Sequence, residues 1–126
     1  MGMTHVNVAV RNPTDPSKEW IESFLVDTGA YDCMAPANQL KKLKLKPRGK
    51  RSYELADGTQ VDLAVCAVEI EFLGEIVGVT MIFGDDDVEP ILGVTALESA
   101  GFEVDPQSQR LKKLPAVSLK RIKPRP

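Results

Sequence analysis

The stretch Phe24-Leu25-Val26-Asp27-Thr28-Gly29-Ala30 constrains this chain more than any other. Its apolar half has the composition of a strand buried on both faces, and it breaks at a carboxylate followed by Thr, Gly and Ala. A strand end that delivers an acid into a tight glycine turn holds that acid on rigid backbone, as a catalytic group requires. Asp and Gly are also default turn residues, so Asp27-Thr28-Gly29 gains meaning only from its company. That company lies about sixty residues on, where Ile91-Leu92-Gly93 precedes a short helical pattern.

A chain of 126 residues has room for one core of normal size. Its 43% hydrophobic and 27% charged content is ordinary for a globular protein. The formal net charge of -2 argues against nucleic acid as the main partner, because phosphate binding calls for a basic surface. Cys33 and Cys66 make neither a disulfide framework nor a zinc site, and read as small buried hydrophobes in a reducing compartment. The single His5, near the terminus, supports neither a His-based triad nor a His-rich metal site. The first twenty residues, with His5, Asn7, Arg11 and Asp15, hold no secretory apolar core. Met1-Gly2 lacks the Ser or Thr that myristoylation wants at position 6, which is Val6. No apolar run approaches a membrane span. The expectation is a cytoplasmic protein with no membrane and no nucleic-acid partner.

Along the chain, Val6, Val8 and Val10 alternate with Asn7 and Ala9 as in a half-buried strand. The cluster Arg11 to Ser17, with Pro13 and Pro16, turns it into a second strand over 19–26. Residues 36–45 suggest a short helix or irregular arm, ended by Pro47 and Gly49. The basic run Lys41 to Lys46 reads as a solvated face. Residues 51–65 form a hairpin, and its register follows from the pattern. A three-residue loop Ala56-Asp57-Gly58 pairs Leu55 with Thr59, Tyr53 with Val61 and Arg51 with Leu63, and puts Gly58 in the left-handed conformation. The apolar phase flips across Cys66-Ala67, which predicts a bulge or bend there. Gly74-Glu75 then turns the chain into a buried strand over 76–83. Asp85, Asp86, Asp87 and Glu89 make an acidic loop that matches no ordered calcium loop. Gly93 permits a close backbone approach. Thr95 is the expected cap of a helix that Gly101 ends, with Glu98 completing a capping box. Phe102-Glu103-Val104 and Arg110-Leu111 pair across residues 105–108. Residues 115–126, with three prolines and four basic side chains, read as a loose tail beyond a domain of 1–114.

In this order the motifs resemble the retropepsin-like aspartic proteases, single-domain bacterial type, over most of residues 4–114. The match rests on Leu25-Val26-Asp27-Thr28-Gly29-Ala30, a hairpin around Ala56-Asp57-Gly58, then Ile91-Leu92-Gly93 and the helical stretch Thr95 to Ala100. The resemblance implies an all-β fold, a small closed acid-protease-like barrel with a flap hairpin and one short helix near the C-terminus. It implies an aspartic endopeptidase acting on peptides or unfolded proteins, with no metal and no cofactor. Asp27 would be the catalytic acid. Thr28 would brace two such loops across a dimer axis, and Gly29 and Ala30 would complete the active-site loop. Tyr31, Asp32, Ala56, Asp57 and Gly58 would bind substrate, and Ile91, Leu92 and Gly93 would support the site. Tyr31 and Cys33 depart from the family's polar pattern. Such a mechanism needs two carboxylates in different protonation states, and no second Asp-Thr-Gly occurs in the chain. The implied partner is a second copy, with Arg110 to Leu114 as candidate interface. The alternative is a retropepsin-like module of little or no activity that dimerises or binds peptides.

Overall fold

The alternating valines form β1 (His5–Asn12), antiparallel to β2 (Asp15–Val26), in a computed structural model that describes residues 4–124. Val8 and Val10 are fully buried, opposite Glu22 and Trp20. Both strands run on into the predicted turn, which shrinks to Pro13-Thr14. Asn12 makes this possible, since its Oδ1 accepts from the Thr14 N–H at 3.0 Å and the Thr14 hydroxyl at 2.9 Å. A short polar side chain that bonds the backbone two residues on replaces the longer loop. The Met1-Gly2 reading and the last two residues of the tail lie outside the described residues.

The chain continues through β3 (Cys33–Pro36), α1 (Ala37–Lys42), β4 (Gly49–Glu54), β5 (Gln60–Phe72), β6 (Glu75–Gly84), β7 (Ile91–Leu92), α2 (Val94–Ala100), β8 (Phe102–Val104) and β9 (Leu111–Lys113). One sheet runs β1-β2-β7-β3-β6-β5-β4, and β1 also pairs with β5. The first six strands of that order therefore close into a ring, and β4 hangs outside it as one arm of the predicted hairpin. This is the all-β, acid-protease-like architecture that the resemblance implies. Besides the expected α2, a second short helix, α1, forms in the stretch read as helix or arm.

The hairpin keeps the expected register, with Arg51 opposite Leu63, Tyr53 opposite Val61 and the Leu55 N–H on the Thr59 carbonyl at 2.7 Å. Gly58 has φ of 87°. The bulge expected at Cys66-Ala67 is not there. Pairing of β5 with β6 runs unshifted from Val65 to Phe72. The apolar phase flips because β5 exchanges neighbours: its far edge leaves β4 at Val65 and meets β1 at Glu69 to Glu71. Leu63 belongs to the hairpin and Cys66, Val68, Ile70 and Phe72 to the core.

The ring closes under Arg11. Its guanidinium donates to Glu19 of β2 at 2.7 Å and to Glu69 and Glu71 of β5 at 3.2 and 2.7 Å. The fork geometry of arginine suits three carboxylates on two neighbouring strands. Inside, Phe24, Leu40, Ile70, Phe72, Met81 and Leu92 fill the core. Phe102 packs on Phe72 with ring centroids 5.7 Å apart, seating the separate β8-β9 hairpin on the ring. Gly101 ends α2 in the left-handed conformation as expected, at φ of 79°. No helix among the described residues is long and apolar enough to cross a membrane.

Both cysteines are free and buried. Burial pushes each thiol from its ordinary 9.0 up to about 11. Between those values the unfolded chain releases protons that the folded chain keeps, so stability falls as pH rises through that window. Cys66→Ala removes one contributor, and its urea midpoint is expected to decline less between pH 9 and about 11 than that of wild type. Parallel declines would show that the Cys66 thiol carries none of this dependence.

Candidate active site

Asp27 sits where β2 leaves the sheet, and the strand end is fixed from both sides. The Val26 N–H donates to the Thr4 carbonyl at 2.8 Å, and the Asp27 N–H to the Leu92 carbonyl at 3.0 Å. Leu25 and Val26 lie parallel to Ile91 and Leu92. The turn folds on the carboxylate itself: Asp27 Oδ1 accepts from the Gly29 N–H at 2.9 Å, and the Ala30 N–H returns to the Asp27 carbonyl at 3.2 Å. A Cβ at Gly29 would stand 3.2 Å from that Oδ1, so a larger residue here would push the carboxylate by a few tenths of an ångström. Asp27 is half-buried, while Thr28 and Gly29 face solvent.

Behind the turn, β7 and the start of α2 cross the loop 30–32 at backbone contact. A Cβ on Gly93 would lie 2.4 Å from the Asp32 carbonyl oxygen, well inside any tolerable separation. The amides beyond it take the loop's carbonyls, Val94 N–H to Ala30 at 2.8 Å and Thr95 N–H to Tyr31 at 3.1 Å. The expected Thr95 cap is not formed. The helix starts from Gly93 with no side-chain cap, and the Thr95 hydroxyl donates to the Tyr31 carbonyl at 2.8 Å instead. A helix start has unpaired N–H groups, and here the loop supplies their acceptors. Of the three support residues named from the sequence, Leu92 accepts the Asp27 N–H and Gly93 abuts the loop 30–32, while Ile91 pairs with Leu25 and Met34.

In front of the turn lies a cleft of about 650 Å³, between Gly29, Ala30, Tyr31 and Asp32 on one side and β4 with Leu55 and Ala56 on the other. Leu63, Ile82 and Ile91 give it apolar walls. Asp27, Asp57 and Gly58 are not among its lining residues. Asp57 instead shapes the hairpin tip, its Oδ1 accepting from the Thr59 hydroxyl at 2.7 Å and the Thr59 N–H at 3.0 Å. Those bonds, the hydroxyl first, hold its carboxyl below the usual range. Tyr31 is 62% exposed at the cleft mouth. Among the described residues no group of three or more His, Cys, Asp or Glu side chains could hold a metal ion.

Asp32 is the site residue whose surroundings the sequence did not reveal. It is only 3% exposed, and its Oδ2 accepts from both Arg51 Nη1 and Tyr53 Oη, each at 2.6 Å. A buried carboxylate must be paired to be tolerated, and its partners come from β4, the hairpin arm facing it. Burial first, then the bond to Asp32, raises the Tyr53 phenol well above its ordinary value, so it stays a donor. Hydrogen bonding to Asp32 also raises the Arg51 guanidinium. The active-site loop is thereby tied to the base of the hairpin. The available signal was period two: Arg51 and Tyr53 share a strand face, and a cation opposite Leu63 asked for an acid nearby.

A family model for aspartyl proteases matches residues 21–96, which hold the Asp27 turn, the hairpin and the Gly93 crossing. No curated relative matches the chain.

Gly93→Ala is expected to cost about 3 kcal/mol in urea unfolding, because backbone cannot yield as a flexible side chain does. A cost under about 0.5 kcal/mol, the level of an ordinary surface change, would mean that the crossing is not tight. Asp32→Asn is expected to cost about 1–3 kcal/mol by weakening a buried charged acceptor. It should also speed amide hydrogen exchange at Arg51 to Glu54 more than in β6. Equal acceleration of both strands would show that Asp32 does not hold the hairpin in particular.

Proposed function

Because the chain belongs to the retropepsin-like aspartyl protease family, we propose that it is an aspartic endopeptidase whose site is completed by a second copy. The observation that carries this reading is the Asp27 turn itself: a half-buried carboxylate, braced by Leu92 and Gly93, beside a cleft roofed by a hairpin. One such carboxylate is present per chain. In the pair, the ionised Asp27 takes a proton from water as that water attacks the scissile carbonyl carbon, and the protonated Asp27 gives its proton to the carbonyl oxygen. Collapse of the resulting diol breaks the C–N bond, the amine leaving with a proton from a carboxyl group. Two like charges a few Å apart cannot both ionise, so the shared proton is intrinsic to the arrangement.

The exposed Thr28 and Gly29 supply the surface on which two loops meet about a two-fold axis. Thr28 braces the loops, and Gly29 offers its backbone to substrate. The β8-β9 hairpin adds to the same interface through Arg110 to Leu114. Support for this comes from Thr4, whose carbonyl meets Val26 and whose hydroxyl donates to Gln109, so that chain start, catalytic strand and C-terminal hairpin lie together. Tyr31 and Ala56 contact the peptide, Asp57 and Gly58 shape the flap that closes on it, and Asp32 serves binding indirectly through Arg51 and Tyr53. Two free thiols fit an enzyme of a reducing compartment such as the cytoplasm.

Asp27→Asn keeps the shape and removes the titrating group, so fold and dimer are expected to persist while cleavage of an unfolded protein stops. Thr28→Ala should weaken the dimer instead. Refolding equal amounts of wild type and Asp27→Asn together leaves about one quarter wild-type pairs, and activity should fall to about half that of the same wild type refolded alone, for closed two-fold pairing. Unchanged activity after demonstrated reassortment would mean that each chain acts alone. Binding of a peptide bearing a hydroxyl at the scissile position, without turnover of any peptide, would favour the inactive module.

A further inference from the structure

Six cations, Lys41, Lys42, Lys44, Lys46, Arg48 and Lys50, stand exposed from the end of α1 to the start of β4. None of them forms a salt bridge among the described residues, whereas Arg51 just beyond is paired with Asp32. No Asp or Glu occurs between Asp32 and Glu54. With a formal net charge of -2 overall, the rest of the chain is strongly acidic. The cations are therefore segregated along the sequence, and they repel one another with no ion-pair partner among the described residues.

They are also held on fixed backbone. Leu43 and Leu45 are buried between them, the Asn12 side-chain amide donates to the Leu43 carbonyl at 2.9 Å, and the Arg48 N–H donates to the Val65 carbonyl at 2.8 Å. Lys44, Lys46 and Arg48 line a groove of about 500 Å³ together with Asn12 and Thr14. Lys44 follows α1 with φ of 63°, a left-handed position that glycine or asparagine ordinarily takes. A strained lysine kept where glycine is easier puts a charge, rather than backbone comfort, at the groove.

We propose that this groove is a docking site for an acidic segment of the polypeptide substrate, distinct from the cleft; the word substrate here rests on the protease reading. From Arg48 the chain runs straight into β4, which carries Arg51 and Tyr53 to the cleft wall. Five strand residues span about 17 Å, which is the stretch of chain that separates the groove from Tyr53 at the cleft wall. A long polyanion fits less well. The segment from Cys33 to Ser52 has no aromatic side chain on which bases could stack, and the acidic remainder of the surface would repel a duplex or an anionic membrane.

Fluorescein-labelled hexaglutamate, followed by anisotropy at low salt, tests the groove without any catalysis. Wild type should bind it, and Lys44→Gln/Lys46→Gln/Arg48→Gln should bind at least ~10-fold more weakly, as the loss of three exposed charge contacts implies. Lys44→Gly should weaken binding while keeping the melting temperature at or above that of wild type, which separates charge from folding. Equal binding by wild type and the triple variant overturns the proposal. So does tighter, triple-sensitive binding of a single-stranded oligodeoxynucleotide or of phosphatidylserine vesicles. In hydrolysis, a glutamate extension on a cleavable peptide should lower KM for wild type but not for the triple variant, with kcat unchanged. Failure to cleave any peptide would count against the protease, and the anisotropy would still decide the groove.

Discussion

The missing side chain at Gly93 sets how closely the end of β7 can pass the loop after Asp27, and the rest of the site follows from that distance. With only a hydrogen on Gly93, β7 comes near enough for the Leu92 carbonyl to receive the Asp27 amide. The same approach brings the first amides of α2 onto the Ala30 and Tyr31 carbonyls. Helix starts and irregular loops each have backbone groups that lack partners. Here the two deficits cancel, and a loop that would otherwise be mobile becomes as fixed as the strands on either side of it.

The hairpin across the cleft is rigid at its base and self-contained at its tip. Arg51 and Tyr53 anchor the base to a carboxylate that is almost wholly withdrawn from water, where charge-assisted hydrogen bonds are strong. The tip closes on itself through Asp57 and Thr59 and makes no comparable bond to the loop below. Any opening of the hairpin would therefore concern the residues beyond Glu54 and would leave the carboxylate turn in place.

Much of this was legible because it rests on local pattern. Alternation located β1, the break after Val26 located the Asp27 turn, and the pairing of Tyr53 with Val61 fixed the hairpin register. What could not be read depends on which strands become neighbours. The flip at Cys66-Ala67 looked like a bulge because a change of pairing partner and an inserted residue leave the same trace in a one-dimensional pattern. The capping box at Thr95 is a local pattern, whereas its hydroxyl serves the Tyr31 carbonyl, distant in sequence. Asp32 lines the cleft, but nothing short-range in the sequence announces Arg51 and Tyr53 as its partners.

The pairing of Leu25 and Val26 with Ile91 and Leu92 joins segments more than sixty residues apart. Closing so long a loop is entropically costly and slow, and during synthesis it must wait until β7 has been made. Until then Asp27 lies at the end of a strand with no backbone behind it, and its turn has nothing to brace it. The order of translation thus makes the carboxylate early and withholds its geometry until nearly the whole ring exists.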